Sequence, residues 1–544
     1  MSTTASESPA PPLSMFAPLR HGVFLAIWTA SIFSAIGGQL QQVGASWLMT
    51  SLSPGAEMVA LVTAVSTLPI LLFSLPAGAL ADIVDRRLVL FGAQILMFGA
   101  SATLAATEYL GLVTPALLLL LTFAVGAGAA IMAPAWQSTV GELVPREEIP
   151  LAVALNVMAF NIARTVGPAI GGVIVALAGP RVNFALNALS YLALIGVLVA
   201  WRPPRREQAL PVEAVLPAMR DGIYYAFHAT PVRRVLIRAM GFGFCSSIVV
   251  SLMALVARDL LSEGAAVFGL LMGSMGLGAV TGATLLGTMR RKFATEALVR
   301  LAIVVTAAAL VVIGASRSFP LTCAALFVVG NGMVLGLSTF NVAVQMSVPR
   351  WVSGRALALY QVFTFGGMTA GAWFWGQAGE WWGIGSVYLI SAATLTATLL
   401  LAWRMPLHDV DSSEITDAPG DEVEVLPDLQ PRGGVVVVIE YRIAPGRLSE
   451  FLAAVTERQG IRLRHGARQV TLLQDATDAQ LWAERFYVRS WMDYCRQSAR
   501  RNLLGKQLDE TLQDCHEGPE PPLRRYYFER RARLHGEAEA SVFP

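Results

Sequence analysis

The chain has 544 residues, of which 55% are hydrophobic and only 14% charged, and its mean hydropathy is +0.56. Soluble domains carry roughly 25% charged residues, so this composition excludes an ordinary soluble protein and indicates a polytopic membrane chain whose first partner is the lipid bilayer. The formal net charge of +2 hides an uneven distribution, with charges crowded into loops and the C-terminal stretch, and no nucleic-acid partner is expected. The four cysteines, Cys245, Cys323, Cys495 and Cys515, have no metal-ligand spacing, and no metal or other cofactor is expected.

Residues 1–19, rich in Ser, Pro and Ala with no basic residue before Arg20, read as a disordered cytosolic start rather than a signal peptide. Twelve apolar runs follow, at about 22–49, 57–81, 88–109, 112–140, 150–178, 181–201, 234–259, 265–288, 294–315, 319–347, 353–380 and 383–403. Each is long enough to span a bilayer. Basic residues crowd one set of loops (Arg86, Arg87, Arg146, Arg202, Arg205, Arg206, Arg220, Arg290, Arg291, Lys292, Arg350, Arg404), while the other set has only Arg181, Arg258 and Arg317. That asymmetry places both termini in the cytosol. The organisation read from it is a six-helix half at 20–201, a cytosolic bridge at 202–233 and a second six-helix half at 234–404.

In the first run Ser31, Ala35, Gln39, Gln42 and Ser46 recur at steps of three and four, giving one polar face. Two readings stand: a cavity wall, or hydrogen-bonding glue between helices. Trp28 and Trp47, near its ends, read as interface anchors. The second run ends in Gly78-Ala-Leu-Ala-Asp82-Ile-Val-Asp85-Arg86-Arg87. Here Gly78, Asp82, Arg86 and Arg87 resemble the loop signature of the major facilitator superfamily, with Ile83 and Asp85 where the family has a basic residue and a Gly. The resemblance implies that this loop latches the inner side of the bundle through charge pairs and releases as two halves rock.

The fifth run contains Leu155–Gly172, LNVMAFNIARTVGPAIGG. Gly costs about 1 kcal/mol in a helix interior and Pro about 3, yet Ala163, Gly167, Pro168, Gly171 and Gly172 cluster here. Small residues four apart let a neighbouring helix come close. The cluster is similar to the superfamily's antiporter-type motif, a small residue, three spacers, Gly-Pro, two spacers and Gly-Gly. A near-copy lies 204 residues on: Val144-Pro145-Arg146 recurs as Val348-Pro349-Arg350, and Gly167 and Gly172 recur as Gly371 and Gly376. Two hydrophobic halves, each with its own copy, are the pattern of a duplicated transporter.

Arg164 lies deep in the fifth run, and its equivalent in the copy is Met368. Its charge must face the bundle interior, a partner or water. It is either a contact for an anionic or polar substrate, or one half of a fixed pair with backbone carbonyls or helix 1 glutamines. Further polar candidates for a substrate site are Asn156, Asn161, Asn341, Gln345 and Gln361, with Asn183 and Asn187 weaker. Trp373, Trp375, Trp381 and Trp382 read as an interface belt. No carboxylate falls well inside a run; Glu57, Glu108, Asp259, Glu263 and Glu380 fall near outer ends and Glu142 near an inner one. Proton coupling is therefore implied by the family resemblance, not read from residues.

An acidic linker, 405–433, leads to a small soluble unit at 434–535 and a tail at 536–544. Expected strands at Val435–Tyr441, Gln469–Leu473, Leu481–Val488 and Arg525–Arg531, with helices at Pro445–Arg458 and Trp491–Leu512, give the βαββαβ order of a ferredoxin-like fold. The pattern resembles the domains of antibiotic-biosynthesis monooxygenases, which implies a homodimer through the sheet. His465 and His516 stand alone, so no catalysis is assigned. The expected architecture is an all-α membrane protein of twelve spans in two halves with a cytosolic α+β tail. The whole resembles the enterobactin-exporter-like branch of the superfamily, which implies export of a siderophore or drug-like molecule across the cell membrane by alternating access, with protons as the exchanged ion. A membrane-tethered oxidising enzyme and a membrane sensor are the competing classes.

Overall fold

The computed structural model describes residues 16–201, 224, 227, 229–407 and 434–529, apart from positions 54, 84, 146–147, 349, 465, 500–502 and 519. Most of the N-terminal start, the bridge, the acidic linker and the final tail therefore lie outside the described residues, as does His465. Residues Ala17–Arg20 form a short 3-10 turn where a disordered start is expected.

Twelve long helices follow: α1 (Gly22–Leu52), α2 (Ala56–Ile83), α3 (Arg86–Tyr109), α4 (Pro115–Leu143), α5 (Ile149–Ala178), α6 (Pro180–Ala200), α7 (Thr230–Leu255), α8 (Ala265–Lys292), α9 (Thr295–Ala315), α10 (Phe319–Gln345), α11 (Arg350–Trp382) and α12 (Ile384–Arg404). Eleven are long and apolar enough to cross a membrane. The exception is α11, whose Gly, Trp, Gln377 and Glu380 content dilutes its apolar character. A π-helical turn, Val256–Leu260, extends α7.

The breaks between helices have local causes. Asp85 N-caps α3 by accepting from the Arg87 amide at 2.9 Å, so the residue that departs from the family's Gly ends one helix and starts the next. Thr114 caps α4, and Pro115 at its first position needs no amide partner. Gly179 (φ +82°) turns α5 into α6, and Gly383 (φ +77°), 204 residues later, turns α11 into α12. Both need a left-handed backbone that Gly adopts without a Cβ clash.

Within the first half α2 packs along α4, α3 along α4 and α6, and α1 along α5 and α6. Phe24, Phe184, Leu90 and Leu104 are among its fully buried side chains. Trp375 is 1% exposed and donates its indole N–H to Phe244 O at 2.9 Å, which corrects its assignment to an interface belt. Trp373, Trp381 and Trp382 are exposed.

The C-terminal segment folds as β1 (Val435–Arg442), α13 (Leu448–Arg464), β2 (Arg468–Gln474), β3 (Leu481–Val488), α14 (Trp491–Ala499), α15 (Leu503–Asp514) and β4 (Leu523–Phe528). The antiparallel sheet has order β2-β3-β1-β4, that of a ferredoxin-like unit. Alternating β1 residues Val435, Val437, Ile439 and Tyr441 are buried with Phe451, Phe486 and Leu512. Among them sits a charged cluster: Glu484, fully buried, pairs with Arg462 at 2.8 Å, and Arg458 grips Asp509 through two bonds of 2.6 and 3.0 Å. Burial, aided by the hydrogen bond to Tyr494, pushes the Tyr526 phenol up to about 12. His516 accepts the Arg442 amide at 2.9 Å, a structural contact.

Candidate functional site

The site is organised by α5, whose faces do different work. Ile162, Val166, Ile170 and Val173 are 41–44% exposed on one side. Ala163, Gly167 and Gly171 form a second face against α1. A Cβ on Gly167 would lie 2.6 Å from Gln39 Cβ, and one on Gly171 3.3 Å from Leu40 Cα. A third face meets α8 of the other half. A Cβ on Gly269 would lie 2.6 Å from Gly172 Cα and 2.9 Å from Pro168 O. Beside it, Thr165 donates to Gly276 O at 3.1 Å.

The second half repeats this arrangement. Gly371 takes the place of Gly167 and abuts Phe244 O and Ser247 of α7. Gly376 takes the place of Gly172, and its Cβ would meet Ala60 Cβ of α2 at 2.6 Å. Thr369, 204 residues after Thr165, shares a 2.7 Å hydroxyl–hydroxyl bond with Thr67. Thus α5 crosses to α8 and α11 crosses to α2 through equivalent residues. At the ends of these helices Glu380 accepts the Glu57 amide at 3.3 Å, Arg258 donates to Thr50 O at 2.9 Å, and Trp47 stacks on Phe268.

Arg164 sits at the midpoint of the 30-residue α5. At about 100° per residue it points nearly opposite Val173, away from the exposed apolar face and between the α1 and α8 faces. It is half-buried, and its guanidinium lies over the Phe160 ring at 5.9 Å. Among the described residues it has no ion pair and no hydrogen bond. A cation–π contact contributes about 0.5–2 kcal/mol, below the ~2.5–3.5 kcal/mol insertion cost of a central Arg. The expected alternative of a fixed pair with helix 1 glutamines is not what the geometry shows. Asn156, two turns earlier, keeps its Nδ2 buried without a partner among the described residues. The side chain of Asn161 lies outside the described residues.

The glutamines of α1 divide by role. Gln39 packs on Gly167, and Gln42 accepts from Ser66 of α2 at 3.1 Å. Gln41, which lies off the polar stripe and was not singled out by spacing, is buried and accepts from Ser101 at 2.6 Å and from Asn187. Asn183 donates to Leu40 O and Gly171 O at 2.9 and 3.1 Å. These contacts bind α1, α3, α5 and α6 together, so Asn183 and Asn187 are architectural. Asn341 and Gln361 are half-buried on α10 and α11, and Gln345 is exposed at the end of α10.

Of the loop residues, the side chains of Gly78 and Asp82 lie outside the described residues. Arg86 is half-buried. Arg87 donates to Leu198 O and Val199 O, both at 2.8 Å, stapling α3 to the C-terminal carbonyls of α6 where a cation is favoured. A contact invisible to spacing is the buried Arg238, which pairs with Glu296 at 2.5 Å and donates to Met405 O at 3.2 Å. Glu296 also accepts the Leu407 amide at 3.0 Å.

A family profile described as a transmembrane secretion effector, within the major facilitator superfamily, matches residues 13–533. The chain is 24% identical over 260 residues to the staphyloferrin A transporter of Staphylococcus aureus, covering 46% of this chain and 64% of that one. It is 24% identical over 356 residues to the multidrug efflux pump Tap of Mycolicibacterium fortuitum, covering 62% of this chain and 85% of the pump. It is 22% identical over 177 residues to macrolide efflux protein A of Streptococcus pyogenes, covering 32% and 42%. The alignments thus span less than two thirds of the first and third relatives. In structure it resembles a bacterial homologue of the human lysosomal transporter Spinster, inward-facing and unoccupied, with TM-score 0.57, 14% identity and coverage of 71% of this chain and 95% of that one. It also resembles a POT family transporter in complex with 5-aminolevulinic acid, with TM-score 0.59, 13% identity and coverage of 73% and 98%. At such identities the likeness is one of fold.

Proposed function

The chain belongs to the transmembrane secretion effector family of major facilitator transporters, and on that premise we propose that it exports a small siderophore-like or drug-like amphipathic molecule by alternating access. It is a multi-pass membrane transporter, and its relatives carry siderophores and drugs rather than catalysing reactions. The observation that carries the export mechanism is the matched pair of crossings. Thr165 with Gly276 and Thr369 with Thr67 join the halves at equivalent positions, which supports a reading in which two like units rock about one centre. The substrate would be held there by Arg164, Gln39, Gln42, Asn156 and Asn161 from the first half and Asn341, Gln345 and Gln361 from the second. Ala163, Gly167, Pro168, Gly171 and Gly172 give α5 the close approach that rocking needs.

Exchange for protons is the coupling that the resemblance implies, and the branch is enterobactin-exporter-like. Gly78, Asp82, Arg86 and Arg87 form the latch in this proposal, with Arg87 anchoring it to α6. Both termini lie in the cytosol of a cell whose cytoplasmic membrane holds the carrier, and the C-terminal sheet pairs two copies. The test is a screen in cells lacking their own efflux systems, followed by flux into inside-out vesicles. Accumulation of a compound that collapses when the ion gradient is abolished is the expected result. No protein-dependent flux of any siderophore or drug-like compound would remove the export reading.

A further inference from the structure

Several cations of the helical unit have polar partners among the described residues. Arg238 pairs with Glu296, Arg258 with Asp259, and Arg87 and Arg290 donate to backbone carbonyls. Arg164, at mid-helix, has the Phe160 ring against it and no ion pair or hydrogen bond among the described residues. Arg is not deprotonated in proteins, so a full positive charge stands at the middle of α5. Among the described residues no carboxylate occupies the middle of a span, since Glu57, Glu108, Asp259 and Glu380 sit at one end and Glu148 and Glu296 at the other. The pseudo-symmetric position holds Met368, which packs against Gly243; the fold therefore accepts an apolar side chain there. The charge is consequently not a requirement of helix packing.

We propose that the exported molecule is an organic anion, a carboxylate on an apolar scaffold, which supplies a counter-charge to Arg164 that none of the described residues provides. The proposal rests on the export reading above and names its substrate class. The carboxylate meets the guanidinium, whose planar fork suits two oxygens, and the apolar body lies along Phe160, 53% exposed one turn away. The unpaired Asn156 amide, a further turn along the helix, offers a donor to a second acceptor on the same molecule. Each outward crossing then carries negative charge out of the cell, and an inside-negative potential favours it whether or not a proton enters in exchange.

The probe is a matched pair differing only in charge, dansylglycine and dansylglycinamide, measured in proteoliposomes of the full chain. Wild type should move the carboxylate roughly tenfold faster than the amide, as expected when a charged partner is left unpaired by the neutral analogue, and faster still when the compartment it leaves is held negative. Arg164→Met should erase the preference by lowering carboxylate flux to the level of the amide. Arg164→Lys, which keeps the charge, should retain much of it, and this separates a charge effect from loss of folding. Equal flux of both probes, unaltered in Arg164→Met, overturns the anion site and leaves export standing. Movement of neither probe by wild type overturns the anion site, while export of another compound in the cell screen would preserve the wider reading.

Discussion

The two crossings between the halves follow one plan and differ in how closely they shut. On the α5–α8 side Gly172 meets Gly269, backbone against backbone; on the α11–α2 side Gly376 meets the methyl of Ala60. Duplication has kept the hydroxyl of Thr165 and Thr369 on both sides but the bare backbone pair on one only. Charge is divided as unequally, Arg164 on one side and Met368 on the other. The fold thus repeats its contacts between the halves and departs from the repeat in the charge it carries.

The comparison can be broken at three depths. Gly172→Leu should have the largest effect, because a side chain there meets the Gly269 backbone, which cannot change rotamer; overpacking of this kind costs about 1–3 kcal/mol or more. Flux should fall to background and the detergent-solubilised protein should lose thermal stability, read by fluorescence. Gly376→Ala should cost less, since it adds a single methyl. That methyl would lie 2.6 Å from Ala60 Cβ, which is fixed to its backbone, so the helices must part slightly. Reduced flux with a smaller fall in melting temperature is expected. Gly172→Ala, matched in size to Gly376→Ala, completes the comparison: equal losses in these two would leave the inequality of the two sides without energetic meaning. The mildest test is Thr165→Val against Thr369→Val. Hydrogen bonds between membrane helices contribute about 0.6 kcal/mol on average, so each variant should lose a similar small stability, and the double variant should show the sum.

Much of this was legible in the residues. Helix positions followed from apolar run length: the fifth run, read as 150–178, is Ile149–Ala178, and the third strand of the tail, Leu481–Val488, has the expected limits. The 204-residue repeat pointed to the duplication, and the small-residue cluster to close packing. What spacing could not show was allocation of faces. Gly171 and Gly172 are neighbours in the chain but serve different helices, a distinction that depends on where α1 and α8 lie. Gln41 was hidden because a buried amide network involves four helices far apart in sequence, and no single periodicity contains it. Trp375 read as interfacial because a Trp near a span end usually is; here the Phe244 carbonyl satisfies its N–H within the core.

The glycine contact at Gly172 and Gly269 has a mechanical corollary. Helices that interlock through side chains must lift ridges out of grooves before they can turn. Two bare backbones present no teeth to disengage, so on the export reading the contact would serve as a plain bearing, bearing load at close range while the helices swivel.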